Sequence, residues 1–195
     1  MISEHAFRFF LRTLEKFQGL DPLLNLKLRT YLHETQTPRG ENLLRTKAVH
    51  QALYFIVSGS AREVTVQPQT GNAETTWMWF PGDFVYTTPG LFSQQPSDSR
   101  VETMEESILL YIEKENFNQL ELEFGELRPL TERIRDHYHQ LLKAHAFALA
   151  ALTNQERFDQ FVRRRPKALA TLNHKHIASF LGIRDKGLDR YSQKK

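Results

Sequence analysis

The stretch Leu53-Tyr54-Phe55-Ile56-Val57-Ser58-Gly59-Ser60-Ala61 decides the fold. Residues 52–57 are apolar, β-branched or aromatic, the composition of a strand that packs on a core, and Ser58-Gly59 stops them. Alternation restarts in Ala61-Arg62-Glu63-Val64-Thr65-Val66, so two strands meet at a tight turn. Working outward, Gln67–Ala73 is a polar hairpin loop, and Thr75-Thr76-Trp77-Met78-Trp79-Phe80 is a third strand ending at Pro81-Gly82-Asp83. Asn42-Leu43-Leu44 is a short strand upstream. Val101–Ile112 adds at least one more downstream and closes on Ile108-Leu109-Leu110-Tyr111-Ile112. Short strands at close spacing, punctuated by Gly and Pro, predict a β-roll or barrel.

Helical periodicity flanks this region. Phe7, Phe10, Leu11, Leu14 and Phe17 share one helical face. Asp21-Pro22 is an N-cap and first-turn pair for a second helix through about Leu32. After Glu113, Leu127, Ile134, Leu141 and Ala148 recur seven apart, flanked by Leu130, Tyr138, Leu142 and Leu149. That spacing predicts a coiled-coil-like seam, with packing on its own domain as the plainer alternative. Pro129 belongs in the first turn. Thr153-Asn154-Gln155-Glu156 has capping-box spacing and opens a last group of helices near 155–164, 174–180 and 184–194. No internal repeat or low-complexity tract interrupts the chain.

Charge divides the chain. Residues 153–195 hold eleven Lys/Arg and four acids, while the other 152 residues carry 15 basic and 19 acidic side chains. A basic tail on an acidic body suggests a polyanion partner. No stretch approaches the roughly 20 apolar residues of a membrane span. The N-terminus lacks the basic and apolar pattern of a secretory signal. The absence of cysteine excludes disulfides, cysteine-ligated clusters and thiol catalysis, and fits a cytoplasmic location.

The 53–61 strand pair, a polar hairpin and then Phe80-Pro81-Gly82-Asp83-Phe84 resemble the sensor domain of the Crp/Fnr family. Thr153–Phe158 and Lys175-His176-Ile177-Ala178-Ser179-Phe180-Leu181-Gly182-Ile183 resemble the helix-turn-helix of the same family, in the same order along the chain. The resemblance covers about residues 38–195. It implies an α+β protein: a double-stranded, jelly-roll-type β-roll with flanking helices, a long dimerisation helix, and a small all-α helix-turn-helix domain. The expected boundaries are 1–126 for the cyclic-nucleotide-binding-like sensor, 127–152 for the dimerisation helix and hinge, and 153–195 for the DNA-binding domain. The implied partners are double-stranded DNA and a second copy, held through 127–150.

The helix-turn-helix also has its own physical logic. Ala178 is small where two helices cross, Gly182 supplies a permissive turn, and Ile183 and Leu188 fill the interhelical core. The second helix, Arg184-Asp185-Lys186-Gly187-Leu188-Asp189-Arg190-Tyr191, would present its first residues to base edges. The resemblance places Arg190 at the family's late arginine, suited to guanine or phosphate. Arg184, Lys186 and Lys175 are the other expected DNA contacts. Gly187, Asp185 and Asp189 depart from the pattern and oppose DNA binding. The chain reaches Lys195 with little room for a β-hairpin wing.

In ligand-binding members the resemblance implies a Gly-Glu segment and a phosphate-holding Arg. Here Gly82-Asp83-Phe84 stands at the first. Ser97 stands where the Arg belongs, with Arg100 three residues later and Asp98 adding negative charge. Gly82, Asp83, Phe84, Ser97 and Arg100 are therefore the expected pocket residues. Cyclic AMP is not expected as a cofactor, since a desolvated anion without its cation is costly. A different small-molecule effector is left open, with Tyr86, Thr87 and Thr88 as polar lining, and Leu142-Lys143 falls where the family faces the base.

Other chemistry finds no support. His137 and His139 do not share a helical face, His174 and His176 are likewise two apart, and no HExxH occurs. No nucleophile elbow, phosphate loop or dinucleotide fingerprint is present. Glu105-Glu106 reads as a solvated turn. The expectation is no metal and no catalysis. The competing readings are an enzyme using the roll cavity, or a ligand-binding or protein-interaction module that has lost specific DNA binding.

Overall fold

A computed structural model describes residues 2–183 and 188–192. Helix α1 (Glu4–Glu15) is N-capped by Ser3, whose Oγ accepts from the Ala6 N–H, and buries Ala6, Phe7, Phe10, Thr13 and Leu14. Helix α2 (Pro22–Tyr31) is capped by Asp21, with proline in its first turn. These are the two helices the sequence predicts.

The eight strands are β1 (His33–Thr37), β2 (Asn42–Leu44), β3 (Ala52–Ser58), β4 (Ala61–Val66), β5 (Ala73–Trp79), β6 (Phe84–Val85), β7 (Arg100–Thr103) and β8 (Ser107–Glu113). They form two four-stranded antiparallel sheets, ordered β1-β8-β3-β6 and β2-β7-β4-β5. The β3–β4 turn uses Gly59 at φ +87°. A Cβ there would lie 2.2 Å from Ser107 Oγ, so the turn demands glycine twice over. Strand β1 escapes the sequence reading because His-Glu-Thr-Gln-Thr is polar. It is a strand because it pairs with β8, from His33 opposite Tyr111 to Thr37 opposite Ser107. The main core fills the space between the sheets and the flanking helices. Phe55, Ile56, Leu109, Leu110 and Val101 are at most 1 % exposed.

Helix α3 (Lys114–Glu123) leads into α4 (Leu127–Ala151), with Pro129 in its first turn. The plainer reading of the repeat, packing on its own domain, applies to Leu127, Ile134 and Leu141. Leu127, Leu130 and Tyr138 are buried in the main core, and Ile134 and Leu141 pack against it. Three of the four residues of the seven-residue repeat thus face the chain's own roll, and Ala148 does not join that core. Away from that stripe, Leu142 and Leu149 share another face at 47 % and 41 % exposure, and Phe147 on a third side is 66 % exposed.

Four more helices follow among the described residues: α5 (Asn154–Arg164), α6 (Ala168–Thr171), α7 (His174–Phe180) and α8 (Leu188–Ser192). Both reciprocal bonds of the Thr153–Glu156 capping box are present. The short α6 was not predicted. A second core joins Phe158, Phe161, Leu172, Ile177, Ala178, Leu181, Ile183 and Leu188. It also takes in Met78 and Met104 of the roll, so the C-terminal helices pack on the second sheet.

Candidate functional site

Helix α7 begins at Asn173, whose Oδ1 accepts from Lys175 N–H at 2.9 Å. Its inward face is Ile177 and Ala178, at 0 % and 1 % exposure. Gly182 follows at φ +62°, where an added Cβ would lie 3.1 Å from Leu149 Cδ2. The Ile183 N–H then donates to Ala178 O at 2.9 Å, and Ile183 and Leu188 complete the interhelical core as expected. Of the predicted DNA contacts, Lys175 lies exposed in the first turn of α7 and Arg190 lies exposed in α8. Arg184 and Lys186, with Asp185 and Gly187, lie outside the described residues.

One residue the sequence reading missed organises this region. Arg157 is buried, and its guanidinium donates to Leu181 O (2.7 Å), Leu152 O (2.6 Å), Leu149 O (3.3 Å) and Asn154 Oδ1 (2.5 Å). With a further bond to Gly182 O at 3.4 Å, the guanidinium ties the end of α4, the start of α5 and the turn after α7 together. A buried arginine spent on carbonyl oxygens has no sequence signature.

The C-terminal helices are docked on the roll. Strand β5 is an edge of the second sheet, and its Thr75 N–H donates to Ser179 Oγ of α7 at 2.8 Å. The Phe180 ring stacks on His145 of α4 at 4.1 Å and 6°, and meets Trp77 and Phe161 at 6.0 and 6.1 Å. Burial, then Arg157, pushes the His145 imidazole below its usual range. Nearby, buried Arg62 donates to Thr75 Oγ1 (2.9 Å) and pairs with Glu102 (2.5 Å). Burial, then Arg62, lowers His176 to about 4.

The expected ligand residues each have partners within the roll and α4. Gly82, at φ +93°, donates its N–H to Ile56 O and faces Phe9 of α1. Asp83 caps its own turn, accepting from Phe80 N–H at 2.8 Å. Burial raises the Asp83 carboxyl, offset by that N–H, by Arg165 and by Tyr138 of α4. Phe84 is a core ring whose N–H donates to Tyr138 Oη at 2.8 Å. Ser97 is 2 % exposed. Its backbone pairs with Lys47 and Ala48, and its Oγ accepts from Ser99 N–H. Arg100 is held by Glu102 at 3.0 Å, which shares its carboxylate with Arg62, and Asp98 pairs with Lys47. The enclosed cavity beside Phe84 measures about 50 Å³, with an almost wholly apolar lining. That is far below the roughly 300 Å³ at which small-molecule sites begin.

Tyr86 packs edge-on to Phe92 and Tyr138. Thr87 has a buried hydroxyl without a partner. His50, which the sequence did not single out, is 1 % exposed with neither ring nitrogen hydrogen-bonded. Burial lowers it to about 4. Leu142 and Lys143 are exposed. Glu105 and Glu106 are not merely solvated: they accept from Ser60 Oγ and Gln36 Nε2. Among the described residues, no three His, Asp or Glu side chains gather as a metal site, and no helix is long and apolar enough to cross a membrane.

With two stacked sheets, the β3–β4 turn and the capping helices established, comparison with known proteins becomes informative. Residues 34–123 match the cyclic nucleotide-binding domain family. Curated protein sequences give no match. Solved structures of the same fold include FixK2 from Bradyrhizobium japonicum, at 16 % identity and TM-score 0.72, covering 84 % of this chain and 83 % of FixK2. A putative cyclic nucleotide binding protein from Ruegeria pomeroyi is similar at 19 % identity and TM-score 0.67, covering 97 % and 86 %. The c-di-GMP responsive regulator CLP of Xanthomonas campestris is similar at 18 % identity and TM-score 0.65, covering 89 % and 91 %. The cyclic-nucleotide-binding fold thus has Crp/Fnr-type regulators among its structural neighbours.

Proposed function

We propose that this chain is a dimeric, DNA-binding transcription regulator of the Crp/Fnr type whose roll does not hold a cyclic nucleotide. The observation that carries the reading is the α7–turn–α8 unit. Its core of Ile177, Ala178, Ile183 and Leu188 leaves Lys175 and Arg190 exposed, within a segment of eleven basic and four acidic residues. Phosphate attraction supplies most non-specific affinity for DNA, and base-edge contacts supply specificity.

Loss of the nucleotide site follows from the fate of the cations. Position 97 is a buried serine, and Arg100 is already engaged by Glu102. A cyclic phosphate there would be desolvated without a guanidinium fork. Dimerisation is assigned to residues 127–150, on the face bearing Leu142 and Leu149.

A second reading, a protein-interaction module, draws on one observation. Helix α7 is anchored to β5 through Ser179, so the helix-turn-helix has a packing role of its own. Selection of bound duplexes from a random pool separates the two. The regulator reading predicts enrichment of one two-fold-symmetric sequence; no enrichment favours the module. Calorimetry with cyclic AMP is expected to give no tight binding, and submicromolar affinity would refute the assignment of Ser97.

A further inference from the structure

A mixed polar and aromatic hollow lies beside the C-terminal helices and shares only Asp83 with the expected nucleotide residues. A cleft of about 440 Å³ opens between the β5–β6 turn, the C-terminal half of α4, and helices α5 and α7. Its volume falls within the roughly 300–1,000 Å³ range of small-molecule sites. Trp77, Phe80, Phe161 and Phe180 give it aromatic walls. Arg164 and Arg165 line it from the end of α5.

The charges decide the class of ligand. Neither Arg164 nor Arg165 forms a salt bridge among the described residues, while Arg157, the third guanidinium of the cleft, is consumed by backbone carbonyls. Arg165 already lies over the Phe80 ring, 4.5 Å from its centroid, so a cation and an aromatic face are presented together. The one carboxylate in the cleft, Asp83, is turned into the capping bond with Phe80 N–H. Flat rings need flat walls, and guanidinium groups that form no ion pair favour a carboxylate or sulfonate.

We propose that this interdomain cleft binds a planar aromatic anion, the ring against Trp77, Phe80 and Phe180 and the anionic group on Arg164 and Arg165. The cleft is walled by both domains, so its occupant bridges them and holds α5 and α7 against the roll. Its role as an effector rests on the regulator reading above. Binding itself does not, and is measured without DNA, so the two fail separately.

The test titrates the full chain with 8-anilinonaphthalene-1-sulfonate, an anion carrying a flat naphthalene ring, and with uncharged N-phenyl-1-naphthylamine, reading probe fluorescence and tryptophan quenching. Saturable binding of the sulfonate at one site per chain is expected. Arg164→Gln with Arg165→Gln should raise the sulfonate Kd at least fivefold and leave the uncharged probe within twofold. Ala148→Phe, which fills the cleft from α4, should weaken both probes at least fivefold. Thermal melting confirms that each variant is folded. Absence of saturable binding, a smaller effect of either variant on the sulfonate, or equal losses of both probes in the arginine variant overturns the proposal.

Discussion

Thr75 and Ser179 stand 104 positions apart and are joined by one hydrogen bond, the Thr75 N–H donating to Ser179 Oγ at 2.8 Å. Thr75 belongs to edge strand β5, whose outward N–H groups would otherwise face water or another chain. Helix α7 covers that edge, so the element that carries Lys175 also shields the open side of the second sheet.

Ser179→Ala should therefore loosen the dock without unfolding either core. A bond of this kind contributes about 1 kcal/mol net, which corresponds to roughly fivefold faster local opening. Hydrogen exchange at Thr75 should accelerate by about that factor, while the amides of Ile56 and Leu109 stay unchanged. Equal acceleration everywhere would mean that the bond supports global stability instead.

The exposed face of α4 predicts the mode of assembly. Leu142 and Leu149 lie seven apart and are about half exposed, while the 127–134–141 line is spent on the roll. Leu142→Glu with Leu149→Glu should convert a dimer to a folded monomer, read by light scattering at micromolar concentration. Persistence of the dimer would place its interface elsewhere.

Acid should destabilise the roll through His50. Its imidazole is buried without a partner and titrates at about 4, against 6.5 when unfolded. The folded state therefore binds fewer protons than the unfolded one. Its stability is intact above pH 6.5 and falls as pH drops from there towards 4, by about 3 kcal/mol in all. His50→Phe should flatten this part of the curve of melting temperature against pH. An unchanged slope would assign the loss to other groups.

Much of this architecture is legible in the sequence, because local chemistry agrees with the fold. Asp21-Pro22, Ser58-Gly59 and Thr153–Glu156 each specify a cap or turn that the backbone adopts. Strand β1 is not legible, since its polar residues become a strand only by pairing with β8. The Leu127–Ile134–Leu141 repeat was legible as a buried stripe but not as to what buries it. Seven-residue spacing serves a partner helix and a domain's own core alike. The α7–β5 dock and the arginine-lined cleft are juxtapositions of distant segments and leave no local pattern. The candidate ligand residues were adjacent by motif, yet Asp83 and Arg100 are claimed by nearer partners, Phe80 N–H and Glu102.

The central claim, that the C-terminal helices bind DNA, is tested most directly by anisotropy titrations of a selected duplex between about 50 and 200 mM salt. The parent chain and Arg190→Ala are compared side by side. The account predicts affinity that falls steeply with salt, and a loss of at least fivefold for Arg190→Ala on the selected sequence. Absent or salt-insensitive binding by the parent chain would contradict it.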